Sequence, residues 1–399
     1  MKKVKSVVLD HPVLLLIGVL LIASNLRAPI IAVAPILGLI RDSLGLTATE
    51  GGLLTTLPLL VFALLSPCAT VFAREYGLER SLMAAMVLVA VGVMMRSTGS
   101  VAMLYVGTGV IGIGAAFGNV LLPSLLKRDF PTKMVMLTAV YALTMGVASA
   151  LGSSLIVPIA KFAEGMSFMS DWSFALVSML IFPLLAIVFW LPQMRNHTAP
   201  AKDTASLPHG GKVWHSALAW QVTLFFGLNS FVYYIVAGWL PSILQDAGFS
   251  EAHAGVIHGL LQLSTAAPGL LLIPFASKIK DQRFLAFMAS TLSLLGVLGL
   301  LFMPAQATIW TVMFGFGTGE GIILALSFIG LRTHSLHQAA ALSGMSQSLG
   351  YLLAATGPIL AGSLHHATDS WTLSLWVCAL SCALCAMFGL LAGRNKQIS

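Results

Sequence analysis

Apolar and polar positions along this chain alternate on a scale much longer than a helical turn. Twelve mostly apolar runs, at about 13–34, 51–72, 80–97, 101–126, 134–160, 172–191, 218–244, 252–277, 284–303, 306–331, 336–363 and 371–393, are separated by short polar breaks. Each is close to the roughly 20 residues an α-helix needs to cross the hydrocarbon of a bilayer. Lipid offers no hydrogen-bond partners, so a spanning segment must satisfy its own backbone, and continuous apolar runs of this length do so as helices. The pattern predicts an all-α, polytopic membrane protein with twelve transmembrane helices.

The runs fall into two sets of six, because local patterns recur 203 to 205 residues apart. Gly45-Leu46-Thr47 returns as Gly248-Phe249-Ser250, Gly112 and Gly114 as Gly317 and Gly319, Lys127 as Arg332, and Leu137-Thr138-Ala139 as Leu342-Ser343-Gly344. Two similar lipid-embedded halves are the layout of a secondary transporter with its site at the pseudo-symmetric interface. The expected division is a six-helix bundle over 1–192, a linker over 193–216 and a second bundle over 217–399. Pro200, Pro208, Gly210 and Gly211 keep the linker from forming a helix or a core, so the bundles are free to rock.

Composition removes the soluble classes. Hydrophobic residues make up 58% of the 399 and charged residues only 9%, against the roughly 25–35% a water-facing surface carries. The charges are also distributed unevenly. With the N-terminus inside, 17 of the 21 Lys and Arg residues fall on the cytoplasmic side, Arg41, Arg96 and Lys161 fall outside, and Arg27 lies within the first run. That asymmetry places both termini in the cytoplasm. The net charge of +7 then marks topology and contact with anionic lipid heads, not nucleic-acid binding. The first run, behind Lys2, Lys3 and Lys5, has the look of a signal peptide ending at Ala32-Val33-Ala34. Arg27 within it and Pro35 just after it argue instead for a retained span.

Candidate chemistry rests on polar residues that lipid would not tolerate. A charge such as Arg27 costs several kcal/mol in a span unless it faces a wet cavity or a partner. Its fork of donors suits a carboxylate, a cyanate or a nitro group, and the competing role is a structural pair with carbonyls or an acid of another span. Asn25 lies on a different helix face. Glu320, in the glycine-rich stretch 315–321, is a candidate proton carrier, or else a wetted, passive group or a counter-ion for Arg27. His258, with Gln262 one turn on, is a second proton candidate and equally a structural histidine. Cys378, Cys382 and Cys385 form a helical stripe without a histidine or acid beside it, so packing is expected and no metal.

From His11 to Arg394 the chain resembles the cyanate and nitroimidazole transporter branch of the major facilitator superfamily. The stretches that carry the likeness are Asn25-Leu26-Arg27, Gly52-Leu-Leu-Thr-Thr-Leu-Pro58, Gly118 to Pro123 with Lys127 to Pro131, and Ala219 to Thr223. Asn229, Tyr233-Tyr234, Gly238 to Pro241, Gln338 to Gly344 and Gly350-Tyr351 complete them. The superfamily's loop signature after the second span is only partly kept, since Arg74 stands where an aspartate is expected. Arg74 and Arg80 are therefore gating candidates, or members of an ordinary solvated loop.

The resemblance implies alternating access in a bacterial inner membrane and export of a 2-nitroimidazole-type solute, with uptake of cyanate or another small anion as the alternative. It also implies that Asn119, Tyr141 with Thr144, Asn229 with Tyr233 and Tyr234, and Gln347 with Tyr351 lie on cavity-lining helices. Each of these could orient a small polar ligand or simply hold helices together. The expected partners are a small-molecule substrate, protons and membrane lipids; the chain is expected to act as a monomer, with no cofactor and no enzymatic activity.

Overall fold

A computed structural model describes residues 12–130, 134–165, 169–195, 213–276, 281–334 and 336–398. Most of the predicted linker lies outside the described residues, which contain helices and no strand. Every predicted apolar run is helical. The first is built from pieces: α1 (Pro12–Asn25), α2 (Ala28–Ile31), a 3-10 turn (Ala34–Ile36) and α3 (Leu37–Leu44). Then come α4 (Ala48–Tyr76), α5 (Leu78–Arg96), α6 (Val101–Asp129) and α7 (Met134–Ala163), with the sixth run split into α8 (Asp171–Ser178) and α9 (Ile181–Trp190). The remaining runs form α10 (Ala217–Asp246), α11 (Glu251–Ala276), α12 (Arg283–Phe302), α13 (Ala307–Leu331), α14 (Leu336–Thr368) and α15 (Thr372–Ala392). Among the described residues ten segments are long and apolar enough to cross a bilayer. The helices α11 and α14 are not among those ten.

The repeat seen in the sequence is also a repeat of backbone geometry. Gly45 and Gly248 both adopt positive φ, at 67° and 91°, which an L side chain would resist. Two residues later Thr47 and Ser250 each accept a hydrogen bond from a backbone N–H of the next helix, Glu50 N at 3.2 Å and His253 N at 3.4 Å. At Thr47 the Glu50 carboxylate returns the bond and completes a capping box. Turns with the same chemistry therefore start α4 and α11.

Two long seams join the first six runs to the last six, α4 against α14 and α7 against α11. Exchanging the halves by the repeat turns one seam into the other. Both depend on close backbone approach. A Cβ at Gly362 would sit 2.5 Å from the Ala48 carbonyl oxygen, and one at Gly259 would sit 2.8 Å from that of Ala150. Small residues at such crossings let van der Waals contact replace the hydrophobic drive that lipid cannot supply. Hydroxyls add cross-links: Thr56 Oγ1 donates to the Ala355 carbonyl at 3.0 Å, and Thr49 and Ser363 share a 3.3 Å bond. The Gly362 and Thr49–Ser363 contacts lie at the end of the bundle that carries the Gly45 and Gly248 turns.

Gly362→Val should force α4 and α14 apart where Gly362 meets Ala48, costing about 1–3 kcal/mol as an overpacking substitution does, and lower the melting temperature in detergent. In a chain whose four native cysteines are replaced, the pair Thr49→Cys and Ser363→Cys should cross-link on mild oxidation. A pair that stays reduced, read by thiol labelling, contradicts the seam.

Candidate functional site

The first span cannot run through as one helix. Pro29 has no N–H to offer the Asn25 carbonyl, and Leu26 and Arg27 form a turn in which Arg27 takes φ −135° and ψ −44°. Further on, the Pro29 carbonyl receives a side-chain hydrogen bond, from Arg96 Nη1 at 2.6 Å. Arg96 was expected in an outer segment. It is instead fully buried at the C-terminal end of α5, and its Nε and Nη2 have no protein partner. The helix before the break ends on Asn25, whose Nδ2 donates back to the Leu21 carbonyl at 2.8 Å. Asn25 is buried completely and does not line the cavity.

The break opens onto a cavity with about 510 Å³ of free space between the first span, α4 and α10. Its wall is mainly apolar, with Leu26, Ile30, Pro58, Leu59 and Phe62, and Arg27 is the charged residue in it. The Arg27 guanidinium carbon lies 4.9 Å from the centroid of the Tyr233 ring, within cation–π range. Its Nη1 reaches Thr265 Oγ1 at 3.4 Å, a long bond. The Tyr233 hydroxyl donates to Gln262 Oε1 at 2.8 Å, which orients the ring. Tyr234 stands edge-on to Tyr233 with centroids 5.0 Å apart, and Tyr351 is edge-on to Phe226 and Phe62 at 5.3 and 6.3 Å. Arg27 thus faces a small, mostly apolar space together with Phe62 and Tyr234, and Tyr233 and Tyr351 pack behind them.

Of the predicted site residues, Arg27, Tyr233 and Gln262 come together here, with Tyr351 in the neighbouring aromatic wall. Asn229 does not join Tyr233: its Nδ2 donates to the Thr318 carbonyl at 3.0 Å, and it lines a separate cavity of about 180 Å³ with Ser290, Ser293 and Cys385. One helical turn separates the two residues, but the close fit of α10 on α13 turns Asn229 inward. Gln347 bonds Ser343 on its own helix at 2.7 Å, Thr144 returns to the Val140 carbonyl at 2.9 Å, Tyr141 packs half-buried against the core, and Asn119 is exposed. Thr265, Thr55, Pro58 and Phe62 were not singled out from the sequence. Thr265 was legible, since it follows Gln262 by three and His258 by seven positions on one face of α11.

His258 is fully buried with both ring nitrogens engaged. A carbonyl can only accept, so Nε2–H donates to Ala237 at 2.8 Å, and Nδ1 then accepts from the Ser153 hydroxyl at 3.0 Å. That makes it a clasp in the α7–α11 seam. Glu320 is 4% exposed on α13 and forms no ion pair with Arg27. The Arg74 side chain lies outside the described residues, and Arg80 is exposed in the first turn of α5. The charge cluster at that end is held instead by Glu79, which is 1% exposed and pairs with Arg128 at 2.8 Å.

Lipid-crossing helices in two similar sets, with a single cation at a broken helix beside an interhelical seam, are the architecture of a multi-pass membrane transporter. The signature of the Major Facilitator Superfamily matches residues 15–355, and the chain belongs to that family. It is 52% identical over 386 residues to the 2-nitroimidazole transporter of Escherichia coli (strain K12), covering 97% of both chains. To the cyanate transport protein CynX of the same organism it is 25% identical over 361 residues, 90% of this chain and 91% of that one. The crystal structure of the nucleoside transporter NupG superposes with a TM-score of 0.77 at 11% identity, over 95% of this chain and 99% of that one, which shows the shared fold.

Tyr233→Phe should leave the buried Gln262 Oε1 without its donor, at a cost of about 1–3 kcal/mol, seen as a lower melting temperature. Tyr233→Leu, which also removes the ring beneath Arg27, should weaken ligand binding beyond the phenylalanine variant. Equal affinities in the two variants would remove the ring from the site.

Proposed function

We propose that the protein carries 2-nitroimidazole, or a closely similar small nitrogen-containing solute, across the bacterial inner membrane. The observation that carries this reading is Arg27 above Tyr233 in the cavity at the break of the first span. A nitro group offers two coplanar oxygens that match the guanidinium fork, while a flat azole ring has a face for a tyrosine. The family membership and the 2-nitroimidazole transporter at 52% identity support it.

In this reading both termini are cytoplasmic, as the placement of lysine and arginine argues. The bundles 1–192 and 217–399 rock about the cavity as a monomer, with 193–216 as the tether and lipid around them. The α4–α14 and α7–α11 seams open when the cavity turns to the other side. Glu320 carries the coupling proton, being a nearly buried acid without an ion pair among the described residues. Inward proton movement exchanged for the solute gives efflux, the direction we assign. A second reading, uptake of cyanate or another small anion, is favoured by the Arg27 charge and by the similarity to CynX.

Purified protein in proteoliposomes tests both readings. Arg27→Ala should lose binding of 2-nitroimidazole and of cyanate by about tenfold or more, the loss of one charge-assisted bidentate contact; a fully active Arg27→Ala protein would falsify the site. Addition of solute to sealed vesicles should shift the internal pH with the native chain and not with Glu320→Gln. If Glu320→Gln keeps the full shift, the proton runs elsewhere.

A further inference from the structure

The charge balance of the cavity bears on the ionic form of the ligand, an inference that rests on the reading above. A guanidinium stays protonated in a protein, so the positive charge of Arg27 is permanent. The groups its field falls on are the phenols of Tyr233, Tyr234 and Tyr351 and the imidazole of His258. None supplies a negative charge: His258 bonds Ala237 and Ser153 and an imidazole is neutral or positive, and the Tyr233 hydroxyl keeps its hydrogen in a bond to Gln262. Among the described residues, Arg27 has no carboxylate partner, and the ion pairs lie elsewhere, at Arg128, Arg283 and His365.

An uncompensated charge against an apolar wall is costly, and a ligand of opposite charge recovers that cost where a neutral one does not. The rest of the wall restricts the kind of anion. Phe62, Pro58, Leu59 and Tyr234, whose ring is set edge-on by Tyr233 behind it, offer contact to a flat, weakly hydrated face. A compact inorganic anion would surrender its water shell without using them. An aromatic anion spreads its charge over ring and substituent atoms, keeps a polar edge for the Arg27 fork and presents a π face to tyrosine. The cavity is open to the space between the helices, so its apolar wall is reachable by a flat ring with its polar edge toward Arg27.

We propose that the cavity takes planar aromatic monoanions as a class, azolates and arenecarboxylates alike, and that 2-nitroimidazole is bound as its ring-deprotonated anion. The ring N–H loses its proton to water before binding, and no bond to the protein is made or broken. Two pairs of probes differ mainly in that charge: 2-nitroimidazole against 1-methyl-2-nitroimidazole, which has no N–H to lose, and benzoate against benzamide.

Binding to the full-length chain in nanodiscs, by calorimetry at a pH where 2-nitroimidazole is mostly ionised, should favour the anion of each pair by at least tenfold. Arg27→Gln should bring each pair to within about twofold, whereas Arg27→Lys should keep part of the preference, because it retains charge without the fork. Equal affinity for 2-nitroimidazole and its methyl derivative in the native chain would overturn the charge assignment and leave nitroimidazole transport standing. Binding of benzoate over benzamide, dependent on Arg27 but without binding of 2-nitroimidazole, would support anion recognition and remove the nitroimidazole reading. No binding by any of the four overturns both.

Discussion

The whole arrangement depends on a backbone that breaks inside the membrane and still has its polar groups satisfied. Lipid cannot solvate the groups exposed where α1 ends and α2 begins, so such a break survives only where protein covers it or a cavity wets it. Here both conditions hold. Arg96 reaches from α5 to the Pro29 carbonyl, Asn25 folds its amide back on the Leu21 carbonyl, and the remaining side of the turn faces the cavity with Arg27 at its edge. An unbroken first helix would present Arg27 at another height and angle, with no reason for it to lie over Tyr233.

The scaffold around that break is nearly symmetric, and the cavity is not. The seams α4–α14 and α7–α11 are copies of one another under the repeat, as are the Gly45 and Gly248 turns. The match extends to side chains: Glu79 and Gln282, 203 positions apart, each hold an arginine, Arg128 in the first half and Arg332 in the second. In the second half the amide has replaced the carboxylate, and the carbonyls of Ala392 and Gly393 complete the coordination of Arg332. Arg27 and Glu320 have no such counterparts. Similar halves provide two matching seams, whereas binding one small solute needs a single-sided set of donors.

The two histidine and asparagine assignments show where reading a helix in isolation fails. Asn229 and Tyr233 share one helical face by spacing, yet the contact of α10 with α13 draws Asn229 toward the Thr318 carbonyl while Tyr233 turns to Gln262 on α11. His258 has the chemistry of a proton carrier, but two acceptor and donor partners from different helices fix it as a clasp. Thr265 and Phe62 matter through what they meet across an interface, Arg27 in one case and Tyr351 in the other.

The sequence by itself determined the number and length of the apolar runs, the two-fold repeat, the turn glycines and the unusual charge at Arg27, because each is a local consequence of hydrogen-bond satisfaction in lipid. Only the tertiary structure decided which polar groups converge. It buried Arg96 beneath the broken span, paired Tyr233 with Gln262 and left Arg27 without an acid partner among the described residues. The reason is physical: helix periodicity specifies the direction of a side chain about its own axis, but the partner that satisfies it comes from another helix, whose position is set by close packing at residues such as Gly259 and Gly362.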